Sequence, residues 1–119
     1  MKYVLLIHHD EKAIAGLPSG AGDQLTRESL AYDIALEQKG HLVTANALRP
    51  STLTKCVSRR GRKPLVTDGP FAETKEQLIG FLLIEAADMD EAVRLAGDLP
   101  LARTGTVEIR PAYSIREEC

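Results

Sequence analysis

The chain has no tryptophan, and aromatic residues make up only 4% of its 119 positions. That removes the stacking platform on which single strands of nucleic acid are held. The two cysteines, Cys56 and Cys119, are too few for a disulfide framework, so the simplest compartment is a reducing cytoplasm. The three histidines, His8, His9 and His41, share no zinc-ligand spacing, and no metal is expected. A net charge of −2 gives no global pull toward nucleic acid or anionic membrane. No stretch approaches the roughly 18 apolar residues of a membrane span. The start, Met1-Lys2-Tyr3-Val4-Leu5-Leu6-Ile7, lacks a signal-peptide cleavage pattern and reads as a strand. Phosphate-cradling glycine loops, dinucleotide fingerprints and serine nucleophile elbows are missing too, so no cofactor is expected.

What is present is an ordinary globular composition, 44% hydrophobic and 27% charged, over a length that suits one domain, residues 1–119. Residues 2–8 form a first strand that is apolar on both faces, which marks a strand buried on both sides. Residues 9–25, with Gly16, Pro18, Gly20 and Gly22, read as a long loop. A helix is expected from an N-cap at Thr26 to Gly40, its apolar positions being Leu30, Ile34, Ala35 and Leu36. Residues 41–48 read as a strand, and 52–58 and 64–67 as a hairpin with Arg59, Arg60, Arg62 and Lys63 at a solvated tip. Residues 78–85 are a second buried strand. A helix capped by Asp88 or Asp90 follows, with Ala92, Val93, Leu95 and Ala96 facing inward. Residues 106–110 alternate as the last strand.

The order is strand, helix, strand, extra hairpin, strand, helix, strand. It predicts an α+β fold, a ferredoxin-like split βαβ unit with an inserted β-hairpin. Two helices cover one face of such a sheet, yet its central strands are apolar on both. The second face needs another layer, so a homodimer through sheet packing is expected.

The most specified stretch is residues 67–77, Thr-Asp-Gly-Pro-Phe-Ala-Glu-Thr-Lys-Glu-Gln. Gly69 suits positive φ and Pro70 stiffens the turn. Asp68 is a candidate general base, or a carboxylate that caps its own turn. His8, at the end of the first strand, is the candidate acid–base partner of Asp68, because imidazole titrates near neutrality and a carboxylate fixes its tautomer. Gly69, Pro70, Phe71, Glu73, Thr74 and Lys75 are candidate ligand-binding residues, with Lys75 meeting an anionic group; a merely solvated loop is the alternative. Cys56 reads as a small buried hydrophobe rather than a nucleophile.

The N-terminal strand, the segment Val-Thr-Asp-Gly-Pro-Phe-Ala-Glu-Thr-Lys-Glu-Gln-Leu and the segment Gly-Thr-Val-Glu-Ile-Arg-Pro together resemble the DGPF branch of the YCII-related (YciI-like) proteins, over essentially the whole chain. The resemblance implies a dimeric α+β barrel. It also implies a family in which some members carry a His–Asp pair in a cleft, the histidine lying in the first helix. Here the corresponding segment, Glu28-Ser29-Leu30-Ala31-Tyr32-Asp33, has no histidine. Relatives are often encoded beside extracytoplasmic-function sigma factors. Two functions therefore lead, a cofactor-free small-molecule enzyme with acid–base chemistry at a barrel pocket, or a non-catalytic ligand-binding or accessory module in transcriptional regulation; a purely structural dimer whose Asp68 loop serves folding or assembly ranks behind them. None involves direct contact with nucleic acid or membrane.

Overall fold

The computed structural model describes residues 1–118. Cys119 lies outside them. Four strands, β1 (Lys2–His9), β2 (Leu42–Ala47), β5 (Gln77–Glu85) and β6 (Thr106–Ala112), form one antiparallel sheet in the order β2-β5-β1-β6. The fold is a mixed α+β one. The inserted hairpin, β3 (Lys55–Ser58) and β4 (Leu65–Asp68), is a separate two-stranded ribbon. It leaves Val57, Leu65 and Val66 exposed. The radius of gyration, 16.3 Å, exceeds the roughly 13.5 Å of a compact chain this long, as a projecting arm requires.

Alternation along β1 organises the molecule. Tyr3, Leu5 and Ile7 are buried and lie opposite Ile84, Leu82 and Gly80 of β5. Helices α2 (Ala21–Gln38) and α3 (Met89–Gly97) supply Leu36, Ala92, Leu95 and Ala96 to the same core. The intervening residues point the other way. Val4 lies opposite Leu83 and Leu6 opposite Phe81, forming a half-buried apolar stripe on the face away from both helices. The expectation of apolar residues on both faces holds, but α2 and α3 both pack on the face of Tyr3, Leu5 and Ile7.

The helical segments depart from the sequence reading in instructive ways. Residues 9–25 are not all loop. Asp10 accepts the Lys12 N–H at 2.9 Å and caps a short helix, α1 (Glu11–Ala15). Only residues 16–20 break the chain, and α2 starts at Ala21 after Gly20, which turns at φ 87°. Thr26 caps nothing; inside α2 its hydroxyl donates back to the Gly22 carbonyl at 3.1 Å. Leu30 and Ile34 are exposed, while Leu25, Ser29, Tyr32 and Leu36 face inward at helical spacing. The Tyr32 hydroxyl donates to the Leu95 carbonyl at 2.7 Å, tying α2 to α3. In α3 the cap is Asp88, which accepts the Glu91 N–H at 2.9 Å. Val93, expected inside, is exposed, because the 3.6-residue period selects Ala92, Leu95, Ala96 and Leu99 instead. The chain ends in β6 and a last turn, α4 (Ile115–Glu118).

Asp33 sits beside the inner stripe of α2 and lines a small cavity of about 150 Å³ with Gly80, Leu82 and Pro100. Burial pushes its carboxyl above the ordinary value of 3.8. Below that value both folded and unfolded states hold the proton and burial exacts no ionisation penalty. As pH rises past it, the unfolded chain releases the proton first, so folding stability falls. Asp33→Asn should therefore melt above the wild type at pH 7. That gain should fade as pH falls through the ordinary carboxylate range. Thermal melts across pH check this; a variant that melts lower at pH 7 would contradict it.

Candidate functional site

The site grows from the end of β1. Alternation sends His8 to the open face of the sheet and His9 into the core. His9 is 6% exposed, and both ring nitrogens are engaged. Its Nδ1 lies 3.1 Å from the Asp10 carbonyl and its Nε2 2.7 Å from Thr104 Oγ1. A carbonyl can only accept, so Nδ1 carries a proton, and the threonine hydroxyl, donor or acceptor, meets Nε2. Gly105 makes room for the arrangement: a Cβ there would stand 2.4 Å from the His8 carbonyl oxygen and 2.9 Å from His9 Cδ2. His9 is thus anchored, while His8 is presented.

His8 Nε2 lies 3.2 Å from Glu108 Oε1, on the neighbouring strand β6 and the same face. His8 also lines an open cavity of about 690 Å³ with Asp10, Thr74, Lys75, Glu76 and Thr106. The Glu76 carboxylate accepts from the Thr106 hydroxyl at 2.8 Å, fixing one wall to β6.

A second cavity of about 730 Å³ adjoins the first and shares Asp10, Thr74 and Lys75 with it. Polar contacts between distant segments hold it open. Glu11 takes both the backbone N–H of Ser51, at 2.9 Å, and the Ser51 hydroxyl. The Glu11 N–H donates to Gln77 Oε1 at 3.0 Å, and the Gln77 amide donates to the Thr74 carbonyl. Helix α1, the turn at 51–53 and the start of β5 are thereby locked together. Ile14, Leu48, Pro50 and Ile79 give this cavity an apolar lining, and Lys12 stands with Lys75 at its edge.

Of the residues singled out from the sequence, the structure brings His8, Thr74 and Lys75 together. The others lie along the arm and its connection to β5. Asp68 is 83% exposed and its carboxylate holds Lys55 Nζ at 2.5 Å, so it neither caps its own turn nor meets His8 within the chain. Gly69 does take positive φ, 95°, and its N–H donates to the Thr54 carbonyl at 2.8 Å. The Cys56 thiol is half-buried and donates to the Gly69 carbonyl at 3.3 Å. Pro70 and Glu73 are exposed, and Phe71 is 93% exposed. His41 is spent on the Glu85 carbonyl, 2.9 Å from its Nδ1. Among the described residues no group of three His, Cys, Asp or Glu is placed to hold a metal ion.

Sequence reasoning missed Glu108, Glu11, Lys12, Ser51 and Gln77. Glu108 had a signal: it shares a strand face with His8 once β1 and β6 are paired. The contacts of Glu11 span 40 and 66 residues and have no local signature.

The YCII-related domain family matches residues 1–116. The chain belongs to that family. Among curated relatives, an uncharacterised protein of Rhizobium meliloti (strain 1021) is 36% identical over 113 residues, covering 93% of this chain and 91% of that protein. Among solved structures, the 5-chloro-2-hydroxyhydroquinone dehydrochlorinase of Burkholderia phenoliruptrix AC1100, in complex with 2,5-dihydroxybenzoquinone, superposes with a TM-score of 0.60. It shares 13% identity and covers 98% of both chains, a likeness of fold. No helix among the described residues of this YCII-related chain is long and apolar enough to cross a membrane.

The motif of residues 67–77 invites a direct test. Asp68→Asn removes only an exposed ion pair and should cost no more than about 1 kcal/mol. Gly69→Ala places a side chain at positive φ and should cost on the order of 1 kcal/mol. Urea denaturation of both variants checks the order. A larger loss for Asp68→Asn than for Gly69→Ala would show that the carboxylate holds more than Lys55.

Proposed function

We propose that this YCII-related chain is a cofactor-free small-molecule enzyme that moves a proton with His8. The observation that carries the reading is that His8, paired with Glu108, lines a ligand-sized cavity. Glu108 accepts from Nε2–H, which leaves Nδ1 as the basic atom. When Nδ1 takes a proton from an acidic C–H or O–H of a ligand, the adjacent carboxylate stabilises the imidazolium. Glu108 takes the part expected of Asp68, whose carboxylate is engaged by Lys55 in the same chain. Thr74 and Lys75 serve as ligand contacts. The dehydrochlorinase neighbour is in keeping with small-molecule chemistry on this scaffold.

We also read the chain as a ferredoxin-like unit with an inserted hairpin, paired with a second copy as a dimeric α+β barrel. The strand order β2-β5-β1-β6 with helices on one face supports the unit. The open stripe of Val4, Leu6, Phe81 and Leu83 supports the pairing. An isolated two-stranded ribbon is marginal in water, so the arm, with Phe71 at its base, extends the same demand for cover.

Proton exchange tests the reading without knowledge of the natural substrate. Small enolisable ketones and lactones, incubated in D₂O, are followed by proton NMR for loss of the C–H signal. Wild-type protein should accelerate at least one of them, and His8→Gln should lose about 10²-fold of that acceleration. Equal exchange with wild type and variant across the panel would remove His8 from the chemistry.

A further inference from the structure

The larger cavity, the one beyond Lys75 from His8, has a chemical bias of its own. Its carboxylates already accept from the protein. Asp10 takes the Lys12 N–H at 2.9 Å, and both Glu11 oxygens bind Ser51. Lys12 and Lys75 line the cavity, and neither ammonium has an ion-pair partner or a hydrogen bond among the described residues. What the cavity offers a ligand is therefore donors above an apolar floor of Ile14, Leu48 and Ile79. A ligand must bring acceptors to the lysines and apolar surface to the floor.

Charge sets a further limit. Lys12 and Lys75 line the cavity together with Asp10 and Glu11, two cations with two carboxylates, so its charge is close to balanced. Long-range attraction is weak, and a polyanion would be repelled by both carboxylates. A single charge held by short charge-assisted hydrogen bonds gains most. The volume, about 730 Å³, suits a molecule of one or two rings.

We propose that this cavity binds organic monocarboxylates with an apolar body, the carboxylate held by Lys12 and Lys75 and the body lying on Ile14, Leu48 and Ile79. The proposal rests on reading the adjoining His8 cavity as the reactive part of the same site. A bound acid would then extend past Lys75 toward His8, which names the substrate class of that chemistry.

Amide chemical-shift titrations with 2-naphthoate, 2-naphthamide, acetate and phenyl phosphate test it. Naphthoate should bind at least about tenfold more tightly than the neutral amide, which keeps the ring and loses the charge. Acetate, without an apolar body, and phenyl phosphate, with a second charge, should both bind more weakly. Lys75→Gln should weaken naphthoate by about tenfold, and Lys75→Arg should restore most of it. Both positions are exposed, so these variants should melt as the wild type does. Equal binding of acid and amide, unchanged binding by a Lys12→Gln, Lys75→Gln double variant, or no binding of naphthoate at millimolar concentration would each overturn the proposal. The acid–base reading is distinguished by its own variant: His8→Gln should retain naphthoate binding whether or not it exchanges protons.

Discussion

The alternation of β1 is the constraint on which the rest of this molecule depends. A strand at the centre of a four-stranded sheet sends successive side chains to opposite faces, and here every one from Tyr3 to Ile7 is apolar. Tyr3, Leu5 and Ile7 close a core under the helices, and Val4 and Leu6 lie on the other face between Leu83 and Phe81 of β5 and Arg110 and Glu108 of β6. The same alternation separates the two histidines. His9 continues the buried row and is fixed by Asp10 and Thr104. His8 continues the open row, reaches Glu108 across the strands and lines a cavity. One period-two pattern thus produces the core, the apolar stripe on the other face and the imidazole that lines the cavity.

Against that frame, the strands were legible in the sequence and the helices less so. The run Leu78–Ile84, the alternation 106–110 and the Asp88 cap carry strong local signals, and the structure follows them within a residue or two. Helix α2 hid its register because its inner face carries Ser29, Tyr32 and Asp33, so the apolar spacing of Leu30 and Ile34 pointed to the wrong side. Helix α1 hid behind the glycines that follow it. Its cap lies in Asp10, a residue read as part of the loop.

The candidate site was legible only where it lies on a strand end or in the specified loop. His8, Thr74 and Lys75 come together because β1 and β5 are neighbours and both run to the same edge. Glu11, Ser51 and Gln77 were invisible, since their geometry exists only after three distant segments fold onto each other. The Asp-Gly-Pro turn shows the converse: strong local chemistry that serves the arm, with Asp68 on Lys55 and Gly69 tied to Thr54. Membership of the YCII-related family and the shared fold of a dehydrochlorinase frame these residues without assigning them roles.

The central claim is that the open face of the sheet is covered by a second copy of the chain. Sedimentation velocity on the wild type and on Leu6→Lys and Leu82→Lys tests it most directly, because the two leucines lie on opposite faces of the same sheet. The account predicts a dimeric wild type, a folded or partly folded monomer for Leu6→Lys, and an unfolded or aggregated Leu82→Lys, whose charge would be buried in the core. A wild type that sediments as a stable monomer, with Leu6→Lys indistinguishable from it, would contradict the account.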